Sequence, residues 1–143
     1  MLTKKQAKIF FLGGTLLFAI IFLGLSYDTV TNGITSHTHP DNMTEAVVLG
    51  RTLWDKNNCM GCHTLMGEGA YYAPELTKVY DRRGPDYIKT AVMFKNNGLG
   101  WGQRGRHMVE YNFTEKEADG LVAFFKWVGE MNLNGFPAPP TIK

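Results

Sequence analysis

Cysteine is scarce in this chain of 143 residues: Cys59 and Cys62 are the only two, so no disulfide framework organises the fold. A bridge between two such close neighbours would enclose too small a loop to add much stability. Positive charge is not in surplus either. The 15 basic and 13 acidic residues give a formal charge of +2, and Lys4, Lys5 and Lys8 precede the first apolar run, leaving the rest near neutral. That balance excludes a nucleic-acid reader, which needs a basic face. The alternating pattern of half-buried strands is missing, and so is any internal repeat, which leaves an all-α fold. A hydrophobic share of 44% suits neither a disordered chain nor a polytopic membrane protein.

One long apolar run is present. Residues 9–27 (IFFLGGTLLFAIIFLGLSY) carry no charge, and a helix of that length spans about 28 Å at about 1.5 Å per residue, close to a hydrocarbon core of about 30 Å. The lysines ahead of it and Asp28 behind it set the orientation: the N-terminus stays in the cytoplasm and all that follows is exported. Gly24, Leu25 and Ser26 resemble a signal-peptide cleavage site, but the run is longer than a signal core, so an uncleaved single crossing is expected. Residues 1–28 are therefore a membrane anchor. Residues 29–43 are polar, lack a helical or strand period, and read as a tether. His37 and His39 lie in it as solvated side chains without a metal role.

Residues 44–131 form the exported domain. Thr44 is an N-cap and Val47, Gly50 and Trp54 follow at helical spacing until Asn57 and Asn58 stop the pattern. A second helix starts at the capping box of Thr114 and Glu117, carries Ala118, Leu121, Val122, Phe125 and Val128 on one face, and ends near Met131. Residues 86–94 (DYIKTAVMF) give a short middle helix, and residues 96–105, with four glycines, a loop. The proline-bearing tail, residues 132–143, is extended. Trp54 and Phe124 are read as core aromatics.

Cys59, Met60, Gly61, Cys62 and His63 spell Cys-x-x-Cys-His, the attachment signature of c-type haem. Two thiols at that spacing each form a thioether to a vinyl group, and the next residue then offers an imidazole to the iron. A zinc site would need two more ligands at spacings no zinc finger uses, and a thioredoxin-type pair would need a strand-helix-strand context that is missing. Export supports haem, because covalent attachment takes place outside the cytoplasm. On the far side of the haem the best-placed ligand is Met108, which follows the glycine loop and precedes the last helix; His107 is its rival. Met60 and Met66 are too close to His63 to cross to the other face, while Met93 and Met131 suit the core. A domain of this size buries a modest core, so haem is expected to supply much of it. His63 is expected to donate its other ring proton to a backbone carbonyl.

The stretch from 57 to 76, NNCMGCHTLMGEGAYYAPEL, resembles the cytochrome c subunit of bacterial cytochrome-c-dependent nitric oxide reductase. The likeness extends to the basic N-terminus, the single crossing, Arg82-Arg83-Gly84 and the tail. It implies a class I cytochrome c domain in the periplasm, anchored in the inner membrane. It also implies a polytopic catalytic partner with b-type haems and a non-haem iron, reducing NO to N2O, and a soluble cytochrome c or cupredoxin as donor. His63 matches the proximal ligand, Met108 the distal one, and Pro74 the carbonyl that holds the histidine; Val109 departs from the proline many class I cytochromes carry there. Gly69 and Tyr71 match contacts to a calcium ion at the junction of the two subunits, though a tight turn also explains glycines in residues 67–72 (GEGAYY). The neighbouring reading is a cytochrome subunit of a haem-copper oxygen reductase, differing only in its partner. Whether Arg82, Arg83 and Trp101 meet haem propionates is left open by sequence.

Overall fold

Thr3 opens the first helix with a capping box: its hydroxyl accepts from Gln6 N at 3.3 Å and its own N–H donates to Gln6 Oε1 at 2.9 Å. The computed structural model describes residues 3–93 and 108–137, and the chain divides into two units, Met1–His37 and Thr38–Lys143.

In the first unit α1 covers Lys4–Asp28, about 38 Å at about 1.5 Å per residue. Its apolar side chains point outward on every side, with Phe10, Phe18 and Phe22 all about 70% exposed. A helix apolar all round has no core-facing stripe and is long enough to cross a bilayer. The irregular tether expected from residue 29 is not seen. The helix runs on through a π-helical turn, Thr29–Gly33, into α2, Ile34–Thr38. Polar side chains here bond to the helix itself: Thr31 Oγ1 donates to Tyr27 O at 2.8 Å, Asn32 Nδ2 to Asp28 Oδ1 at 2.8 Å, and Ser36 Oγ to Gly33 O at 2.9 Å. Polarity without apolar period therefore does not end the helix, though it accompanies the wider turn.

In the second unit α3 (Glu45–Lys56) is capped by Thr44, and α6 (Glu115–Glu130) by Thr114, whose N–H donates to Glu117 Oε2 at 2.8 Å. These two helices cross so closely that a Cβ on Gly50 would stand 2.0 Å from Gly120 O. Between them come α4 (Val79–Arg83), which the residue pattern does not announce, and α5 (Pro85–Met93), which Pro85 opens one residue before the expected start. Phe94, the glycine loop, Trp101 and His107 lie outside the described residues. The all-α expectation holds, apart from a small hairpin of β1 (Thr64–Leu65) and β2 (Glu68–Gly69). Met66 and Gly67 at its tip both have positive φ, the conformation that a two-residue type I′ turn demands.

Trp54, Phe124, Phe125 and Val128 are buried between α3 and α6, and the Trp54 and Phe125 rings meet edge to face at 5.6 Å. The start of the tail is laid against this body: Leu133 touches the core and the Phe136 ring lies over Gly67.

Candidate haem site

Where α3 ends, Asn58 takes a left-handed conformation (φ 49°) that asparagine tolerates, and a 3₁₀ turn, Cys59–Gly61, follows at once. Gly61 N donates to Asn58 O at 2.9 Å, and His63 N to Cys59 O at 2.9 Å. Gly61 leaves room for the Asn58 amide, which a Cβ there would approach to 2.9 Å. This tight turn brings Cys59, Cys62 and His63 to one wall of a single cavity.

That cavity has a volume of about 760 Å³, within the range of about 300 to 1,000 Å³ of ligand pockets, and its surface is mainly apolar. Trp54 of α3, Ile88 and Val92 of α5, and Leu121 and Phe125 of α6 supply apolar wall. Met108 lines the same cavity, and among the described residues it is the methionine that does; Met60, Met66, Met93 and Met131 do not reach it. One imidazole, one thioether and two thiols around an apolar space of this size fit a covalently held haem with His and Met as axial ligands.

His63 Nδ1 donates to Pro74 O at 2.7 Å. Burial holds its pKa below the ordinary histidine value, with the Pro74 bond acting in the opposite sense. The ring is thus neutral, its proton on Nδ1 and its lone pair on Nε2, the form in which imidazole binds a metal. The Trp54 ring lies 6.4 Å away, centre to centre. Cys59 and Cys62 are not bridged to each other. Burial pushes the Cys59 thiol up, against the lowering effect of a hydrogen bond with Tyr111. A thiol–disulfide oxidoreductase needs the reverse, a cysteine with depressed pKa.

The segment after the motif is tied back to it. Ala70 N donates to Met60 O at 3.0 Å, Ala73 N to Cys62 O at 2.8 Å and Leu76 N to Thr64 O at 2.9 Å. Gly69 (φ 115°) presses on this turn so closely that a Cβ would be 2.3 Å from His63 O. Its backbone place alone therefore demands glycine. Tyr71 is 82% exposed at the cavity's edge, and among the described residues no three His, Cys, Asp or Glu side chains cluster as a metal site.

Arg82 and Arg83 also line the cavity, Arg82 paired with Glu75 and Arg83 above the Tyr87 ring at 5.2 Å. The Glu75 partnership and the place of Tyr111, stacked on Phe113 at 4.9 Å, escaped the sequence reading. The first links residues only seven apart but across an irregular segment, Tyr111 meets Cys59 only in the folded chain, and neither has a motif.

Residues 47–129 match the cytochrome c domain family. Over nearly its whole length the chain is also similar to proteins named as the C subunit of nitric oxide reductase. That of Stutzerimonas stutzeri is 40% identical over 138 residues, covering 94% of this chain and 93% of the relative. That of Halomonas halodenitrificans is 35% identical over 144 residues (97% and 96%). That of Paracoccus denitrificans is 34% identical over 141 residues (95% and 94%).

Proposed function

The chain belongs to the cytochrome c family and, within it, to the C subunits of nitric oxide reductase, and on that premise we propose that it is a mono-haem electron carrier anchored in the inner membrane by α1, its haem domain in the periplasm. It takes electrons from a soluble cytochrome c or cupredoxin and hands them to a polytopic subunit holding b-type haems and a non-haem iron, where 2 NO become N2O and water. The observation that carries this reading is the meeting of Cys59, Cys62, His63 and Met108 on one apolar cavity, with His63 Nδ1 fixed on Pro74 O.

Haem c supplies an iron that alternates between ferric and ferrous states. The chain's own residues set the terms. Cys59 and Cys62 hold the group covalently, so it is not lost during repeated turnover. His63, kept neutral by burial and aligned by Pro74, is the proximal donor. Met108 would hold the iron through its thioether, which would leave no place for an outside ligand and would favour the ferrous state, as suits a carrier rather than a gas-binding centre. Trp54, Leu121 and Phe125 exclude water from the ring, which limits the reorganisation that accompanies each electron. Gly69 and Tyr71 would hold a calcium ion at the junction with the partner, where its charge would offset the repulsion of carboxylates and propionates brought together there.

The test is purification of the intact complex. The pyridine haemochrome spectrum is expected to show one c-type haem per copy of this chain, with NO turnover driven by a reduced periplasmic donor and stoichiometric calcium in the same preparation. A missing c-type band, or turnover of O2 with none of NO, sinks the functional reading; calcium-free active complex sinks the calcium site alone.

A further inference from the structure

The Pro74 carbonyl, which accepts from His63 Nδ1 at 2.7 Å, belongs to an exposed residue in a largely half-buried stretch outside any helix or strand. Ala73 N and Leu76 N tie its two sides back to Cys62 O and Thr64 O, which leaves the Pro74–Glu75 peptide between them to be fixed from elsewhere. One position along, Glu75 is gripped at three points. Its Oε2 faces Arg82 Nη1 at 3.3 Å, its main-chain carbonyl accepts from Arg82 Nη2, and its Oε1 accepts from Thr77 N at 2.5 Å. Arg82 stands on α4, and α4 is itself made fast: Val79 is buried, and the preceding Lys78 donates from Nζ to Gly129 O near the end of α6.

We propose that Arg82 is a positioning residue for His63: by clamping Glu75 to α4 it fixes the Pro74–Glu75 peptide, and with it the bond that orients the imidazole. The proposal rests on the reading of His63 as the proximal haem ligand. The ion pair itself adds little stability, because its side chains are 38% and 23% exposed and water screens them. Its contribution is geometric. A guanidinium presents two donors in one rigid plane, so a carboxylate and a main-chain carbonyl are held in a fixed relation, which a lysine ammonium cannot reproduce. Arg83 is no substitute, since its guanidinium lies over Tyr87. The bond from Nδ1 raises the basicity of the imidazole, and bonds of this kind to metal-ligating histidines tune the metal they serve. Loosening the clamp weakens that bond, lessens electron donation to the iron, destabilises the ferric state and moves the reduction potential upward.

The experiment uses the full chain with its haem attached, in detergent, comparing wild type with Arg82→Ala, Arg82→Lys and Arg51→Ala. Arg51 pairs with Asp55 at 3.8 Å, with side chains 65% and 61% exposed, so its variant controls for loss of an ordinary surface pair. The readouts are the midpoint potential and the exchange rate of the His63 Nδ1 proton by NMR. Arg82→Ala is expected to raise the potential and speed the exchange, Arg82→Lys to do so part-way, and Arg51→Ala to do neither. An Arg82→Ala protein with wild-type potential and exchange overturns the proposal, as does an equal shift in Arg51→Ala. Should Arg82→Ala fail to accumulate, Glu75→Ala removes the carboxylate contacts and is expected to shift both readouts in the same direction; no shift there is equally fatal. A wild-type chain without a c-type haemochrome band overturns the haem reading itself, an outcome distinct from a haem-bearing chain in which Arg82 has no effect.

Discussion

Among the described residues, His63 and Met108 are the one imidazole and the one thioether that the backbone brings to the cavity. Residues 108–113 cross the cavity wall without regular structure and place Met108 there half-buried, with Val109 beside it on the same wall though 64% exposed. Met93 in α5, chemically as able a ligand, is off the wall, because its neighbours Ala91 and Val92 take the positions facing it. Replacing the thioether therefore leaves no second methionine at the cavity among the described residues. Met108→Ala is expected to keep its covalent haem through Cys59 and Cys62 while the sixth position opens or takes another ligand. The near-infrared band of the methionine–iron bond should disappear and the potential should fall, as expected when a thioether is lost. Absorption and redox titration of the variant check this; an unchanged spectrum moves the distal ligand elsewhere.

At the scale of elements, the site depends on two helices crossing through glycine. A Cβ on Gly50 would meet Gly120 O at 2.0 Å and Phe124 Cβ at 2.7 Å, whereas a Cβ on Gly120 would first meet the Leu49 side chain at 3.2 Å and Ala46 O at 3.3 Å. A main-chain carbonyl on a helix cannot step aside, but a leucine can turn. Gly50→Ala is expected to destabilise the haem protein by about 3 kcal/mol, at the upper end for an overpacked core, and Gly120→Ala by about 1 kcal/mol. Denaturant melts of both variants measure this, and the reverse order would refute the account of the crossing. Much of the frame was legible from sequence, because caps and apolar spacing are local: Thr44, Thr114 and Glu117 start the helices they were expected to start. The partner of Gly50 was not legible, since only the folded chain brings Gly120 against it. The α4 helix escaped because it has five residues, mostly charged, and only Val79 is buried. Past residue 28, the error came from treating threonine, serine and asparagine as helix-ending when their side chains bond to the helix beneath them.

For the whole molecule, the two units solve opposite solvation problems. The second hides Trp54, Leu121, Phe124 and Phe125 in its own core and around the cavity. Among its described residues the first buries none: Ile9, Phe10, Phe11, Leu16, Leu17, Phe18 and Phe22 are all more than half exposed. In water that surface is costly, at about 25 cal/mol per Å² of apolar area. In a bilayer each central Leu, Ile or Phe contributes about −0.3 to −0.6 kcal/mol, and no charge between Lys8 and Asp28 opposes them. Attachment to the membrane should therefore reside wholly in the first unit, and the haem domain should survive its removal. A chain with a cleavable export signal in place of residues 1–37 is expected to collect in the periplasm, to partition into the aqueous phase of a detergent separation, and to keep the c-type spectrum and thermal midpoint of the full chain within a few degrees. The full chain is expected to resist alkaline extraction from membranes. A truncated chain that stays with the membrane would place the anchor elsewhere, and one that cannot hold haem would show that the core around the cavity needs more than its own helices.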